Sequence, residues 1–89
     1  MARRPYMHRA KREAYKPLTP RQLDALQGWW IGESTEETAA RMEVQINTVR
    51  YYRDQARLRL NHAPNLPTAI RRAIVHGYMK ADLHKGTAQ

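Results

Sequence analysis

Arg50, Tyr51, Arg53, Asp54 and Arg57 fall within eight consecutive positions, and their chemistry points to a polyanion. An arginine guanidinium bonds two acceptors at once, which suits guanine O6 and N7 or paired phosphate oxygens. Arg50 is therefore the first choice for a base contact. Tyr51 beside it offers a ring to a thymine methyl or a hydroxyl to phosphate. Arg53, Arg57 and Arg59 suit phosphate, as do Thr35 and Thr48 near helix starts, because such contacts supply position and most of the affinity. Asn47 opens the same helix. Asp54 is the odd member, since phosphate repels it and only cytosine N4 would donate to it.

Other chemistries find little support. His8, His62, His76 and His84 lack the close spacing of a metal helix, and the chain has no cysteine, so neither a thiolate metal site nor a disulfide is expected. Glu36 and Glu37 read as helix-start residues rather than a catalytic pair. No phosphate loop, nucleophile elbow or base-nucleophile set occurs, so no enzyme, cofactor or metal is expected.

The helices that would position these residues are punctuated clearly. Thr19 caps a first helix with Pro20 at its first position and Gln22 closing a capping box; Gly32 ends it. Leu23, Leu26, Trp29 and Trp30 make its buried stripe, and Gly28 implies a close neighbour. Ser34 and Glu37 form a second capping box, opening a helix that carries Ala39, Ala40 and Met42. After the turn at Arg41-Met42-Glu43-Val44, a third helix runs from about Asn47 to Leu60, burying Val49, Tyr52, Ala56 and Leu60. Asn65 caps a fourth helix, whose apolar side holds Leu66, Ala69, Ile70, Ala73, Ile74 and Gly77. A capped helix, a tight turn and a helix opening with Arg and Tyr is the pattern of a helix-turn-helix, whose second helix enters the major groove.

Eighty-nine residues make one small domain with a modest core, and the formal net charge of +8 favours nucleic acid as a partner. The charge is concentrated. Arg3, Arg4, Arg9, Lys11, Arg12 and Lys16 stand against Glu13 alone, so residues 1–17 carry +5 of the total. That stretch lacks an apolar period and reads as a flexible basic arm, residues 18–78 as the folded domain, and 79–89 as a frayed tail. Arg3 and Arg4 are the pair expected in an adjacent minor groove, where narrow A·T tracts concentrate negative potential. Tyr6 and Tyr15 could instead stack on single-stranded bases. No apolar run approaches the ~20 residues of a membrane span, and no secretory leader is legible, so a cytoplasmic, nucleoid-associated protein is expected.

Leu18-Thr19-Pro20-Arg21, then Gly32-Glu33-Ser34-Thr35-Glu36-Glu37-Thr38-Ala39, then Arg41-Met42 and Thr48-Val49-Arg50-Tyr51-Tyr52, together resemble the DNA-binding domain of LuxR-type (GerE-like) regulators. That family reads L-T-P-R, G-x-S-x-x-E-I-A and T-V-K-x-H in the same order. The match is ungapped from Leu18 to Leu60 and, with one extra residue after His62, continues through the fourth helix, covering about 60 of 89 residues. The resemblance implies an all-α, four-helix, stand-alone LuxR-type domain whose third helix reads DNA and whose fourth often forms a dimer interface. It puts Arg50 at the family's DNA-contacting lysine, Tyr51 at the apolar base contact beside it, and Asp54 at another DNA-facing position. The chain departs from the pattern where Tyr52 replaces His, Glu43 replaces the turn glycine and Gln45 replaces the serine cap. Sigma factors share a similar motif but generally lack the fourth helix.

These readings converge on a sequence-specific regulator of transcription that binds double-stranded DNA. Homodimerisation would use Ile70, Ala73, Ile74 and Gly77 on the fourth helix; the same residues could instead close the monomer's own core. Two alternatives differ in kind. One is an adaptor binding RNA polymerase or another regulator, marked by Trp30 as an indole too large to bury. The other is RNA binding through the arm.

Overall fold

In a computed structural model, residues 15–81 are described. Four helices follow one another: α1 (Pro20–Trp30), α2 (Thr35–Met42), α3 (Ile46–Arg59) and α4 (Leu66–Val75). The all-α, four-helix expectation holds. The third helix begins and ends one residue earlier than expected.

Both capping boxes form as read. Thr19 Oγ1 accepts from the Gln22 amide at 3.2 Å while Gln22 Oε1 accepts from the Thr19 amide at 3.1 Å. Ser34 and Glu37 reciprocate at 3.0 and 2.8 Å. Each box satisfies two N–H groups that a helix start leaves unpaired. α1 ends in a double turn, with Gly32 N–H donating to Trp29 O at 3.1 Å and Glu33 N–H to Gly28 O at 2.9 Å. This bond pattern requires a left-handed residue, and Gly32 supplies it at φ 93°.

α2 closes the same way, but with a side chain in the left-handed position. Glu43 sits at φ 60°, ψ 46°, while Val44 N–H reaches Ala39 O at 3.0 Å. The β-carbon of a non-glycine residue crowds the next carbonyl there, which costs roughly 1–2 kcal/mol. Glu43→Gly should therefore raise the unfolding free energy by about 0.5–1 kcal/mol, the gain being trimmed by glycine's larger unfolded-state entropy; urea denaturation would read it. α3 also starts without help, since Gln45 at its N-cap makes no side-chain cap bond. Gln45→Ser should add about 0.5–1 kcal/mol by the same assay.

α3 packs against α1 and α2, and α4 closes over α3 and α1. Two buried clusters result. Ala25, Ala39, Met42 and Val49 join α1, α2 and α3. Leu26, Ala56, Leu60, Ala69, Ile70 and Ala73 join α1, α3 and α4. At Gly28 a β-carbon would press into the Thr38 side chain and into Glu33 Oε1, so α1 and α2 cross at the distance the glycine permits.

Several expectations are corrected. Trp30, not Trp29, packs against the α1–α3–α4 cluster, while Trp29 is 39% exposed. Tyr52 is only half-buried. Met79, expected at the start of a frayed tail, is buried in the core, its N–H directed at Ala73 O. At the other end, Tyr15 is packed rather than free for bases: it bridges to Leu60 and its ring lies 4.0 Å from that of His76. Lys16 N–H donates to Arg59 O at 2.8 Å, and the Arg59 guanidinium donates to Pro17 O at 2.6 Å. Arg3, Arg4 and Tyr6 lie outside the described residues.

Candidate nucleic-acid interface

The outward face of α3 is set by its inward one. Val49, Arg53, Ala56 and Leu60, spaced four, three and four apart, are all buried. Their burial turns Asn47, Arg50, Tyr51 and Asp54 outward on a single stripe, and all four are exposed, Tyr51 by 59%. Asn47 Oδ1 accepts from Arg50 Nη1 at 3.2 Å, which biases the guanidinium toward the start of the helix. Tyr51 stands 6.1 Å from the Tyr52 ring, and the Arg21 guanidinium lies 5.9 Å from the centre of that ring.

Arg53 is not available to phosphate as the sequence suggested. It is 6% exposed, and its guanidinium donates inward: Nε to Ala25 O at 2.9 Å, Nη2 to Thr38 Oγ1 at 3.1 Å and Nη1 to Thr35 Oγ1 at 3.3 Å. The Thr38 hydroxyl in turn donates to Glu33 at 2.8 Å. Glu33 receives Arg41 Nε at 2.8 Å, and Arg41 Nη1 meets Asp24 at 2.7 Å. One polar network thus runs from Asp24 through Arg41, Glu33 and Thr38 to Arg53, tying together α1, α2 and α3. Burial lowers the Arg53 pKa, with Glu33 opposing that shift. The Glu33 carboxylate raises that of Arg41. Both arginines remain cations throughout the physiological range.

The other phosphate candidates are only partly free. Thr35 is half-buried and already accepts from Arg53. Thr48 is half-buried at the start of α3. Arg57 is half-buried, donating to Ala63 O at 2.7 Å and pairing with Asp54 at 3.2 Å. That pair partly neutralises Asp54, the carboxylate that sat awkwardly in a DNA-facing stripe. Thus Asn47, Arg50, Tyr51 and Asp54 come together at the surface, with Thr35, Thr48 and Arg57 at its margin and Arg53 beneath. A signal for Arg53 was present, because position 53 continues the period of Val49, Ala56 and Leu60.

The GerE family, bacterial regulatory proteins of the luxR family, matches residues 16–73, well over half of the chain. The chain belongs to that family. It is a luxR-family helix-turn-helix domain of DNA-binding regulators, with α2 and α3 as the two helices of the motif. Comparison with curated proteins and with solved structures finds no match.

In the expected dimer face, Ile70 and Ala73 are consumed by the core of this luxR-family domain. Ile74 is half-buried against that core, and Gly77 is exposed at φ 81°. The physical reason is that α4 has one strongly apolar side, and the domain's own α1 and α3 cover it. No helix among the described residues is long and apolar enough to cross a membrane, and no group of three His, Cys, Asp or Glu among them could hold a metal ion.

Proposed function

We propose that this luxR-family domain is a sequence-specific regulator of transcription that lays the first turns of α3 in the major groove of duplex DNA. The observation that carries the reading is the exposed stripe Asn47, Arg50, Tyr51 and Asp54 on a helix whose opposite side is buried. A helix so mounted presents its N-terminal side chains to base edges, the docking mode of helix-turn-helix proteins. Arg50 reads guanine, Tyr51 meets the neighbouring base or its phosphate, and Asp54 favours cytosine N4 once Arg57 has offset part of its charge. Thr35, Thr48 and Arg57 hold flanking phosphates. Such a protein works in the cytoplasm, on the nucleoid.

Arg3 and Arg4 add a minor-groove contact beside the site. Arg4 stands eleven residues before Tyr15, a stretch that can span roughly 40 Å when extended, longer than α3 itself. Two copies on a palindrome would pair through what α4 leaves uncovered, Ile74, Val75 and Gly77, rather than through Ile70 and Ala73. The adaptor reading loses its marker, because Trp30 packs on the core.

Duplex binding measured at several salt concentrations, after selection of a preferred sequence from random duplexes, tests the proposal. Log affinity should fall with log salt at about −0.9 per phosphate contacted, and the selected sequence should outcompete random duplex. Equal affinity for all sequences, or preference for single strands or hairpins, would contradict it.

A further inference from the structure

A groove of about 350 Å³ runs beside the reading stripe, between Trp29 at the end of α1, Thr35 at the start of α2, Arg50 and Arg57 on α3, and Asn65 at the cap of α4. Asp54 also lines it, its carboxylate paired with Arg57, and the buried Arg53 forms part of its floor with its guanidinium bonded inward, so two surface guanidinium groups stand beside one paired carboxylate. The groove is therefore cationic. Trp29 is the large aromatic side chain on its wall. Leu23, Leu26 and Trp30, spaced three and four apart, take the interior side of α1, which leaves Trp29, 39% exposed, at the edge of the groove. An indole at the surface beside guanidinium groups offers an apolar face together with an N–H donor, the combination that makes Trp common at contact surfaces.

We infer that Trp29 is a DNA-backbone contact, with the groove receiving one phosphodiester and its deoxyribose from the strand that flanks the α3 site. This rests on the DNA reading proposed above and extends it to α1, a helix outside the two-helix motif. The chemistry matches the occupant. Arg50 and Arg57 supply charge for the phosphate, the indole N–H is a donor with no competing acceptor function, and the indole face packs against the sugar. Arg50 belongs both to the groove and to the reading stripe, so the groove lies directly beside a duplex engaged by Arg50.

The two tryptophans allow the test to be read residue by residue. In Trp30→Phe protein the emission comes from Trp29, and it should be quenched on adding the selected duplex. In Trp29→Phe protein the remaining indole packs on the core, and its emission should hold steady. Trp29→Ala should weaken binding roughly tenfold for selected and random duplexes alike, the loss expected for a hydrogen bond to a charged group, with the base preference kept. A thermal melt of each variant establishes that it is folded at the assay temperature. Wild-type affinity in folded Trp29→Ala protein, or Trp29 emission indifferent to a duplex that is demonstrably bound, would overturn the inference and leave the DNA reading standing. A loss confined to the selected sequence would also overturn it, by making Trp29 a base reader. Failure of the wild-type protein to bind any duplex would remove the DNA reading and this contact together.

Discussion

Arg53→Ala should lower the unfolding free energy by about 3 kcal/mol. The substitution strips donors from the Ala25 carbonyl and from the Thr35 and Thr38 hydroxyls, and it removes the buried cation nearest the Glu33 network. Buried acceptors left unpaired cost more than the bonds themselves contributed. A domain of this size has roughly 5–10 kcal/mol in total, so the variant should melt roughly 15 °C lower. Arg53→Lys should fall between the two, because one ammonium cannot serve three acceptors arranged around a planar fork. Thermal and urea denaturation would check both. In the folded Lys variant the salt dependence of duplex binding should match wild type, since the donors of Arg53 point inward. A flatter salt slope with unchanged stability would show instead that Arg53 is a phosphate ligand.

Arg50→Ala should do the reverse. The side chain is exposed and, among the described residues, donates only to Asn47, so stability should shift by no more than about 0.5 kcal/mol. Affinity for the selected duplex should drop by roughly 1–3 kcal/mol, and the preference should relax at one base pair. Arg50→Lys should keep more of the affinity than of the preference, because an ammonium reaches phosphate as a point charge but does not match guanine O6 and N7 together. Competition titrations against duplexes varied one pair at a time would show this. The contrast between positions 50 and 53, three residues apart on one helix, is what separates reading from scaffolding here.

The helices themselves were legible because their signals are local. Thr19 with Gln22, and Ser34 with Glu37, sit within one turn of each other, and nothing distant alters whether their boxes close. Gly28 announced a close crossing for the same reason, although not with what; Thr38 and Glu33 came from the fold. The site was half legible. Arg50 and Tyr51 follow directly from the turn that precedes them. From sequence Arg53 reads as a phosphate ligand, because an arginine defaults to water, whereas its burial depends on acceptors supplied by two other helices. Trp29 and Trp30 are adjacent on α1, so either could face inward until the position of α4 is known. Ile70 and Ala73 show the same limit: an apolar stripe must be covered, but the sequence does not say whether by its own chain or by a second copy.

Amide chemical shifts of ¹⁵N-labelled protein, followed while the selected duplex is added, test the central claim most directly. The account predicts the largest changes at Asn47, Arg50, Tyr51 and Asp54, with smaller ones at Thr35, Thr48 and Trp29 and little at Val75. Changes centred on Leu58 and Val75, with the first turns of α3 unmoved, would contradict it.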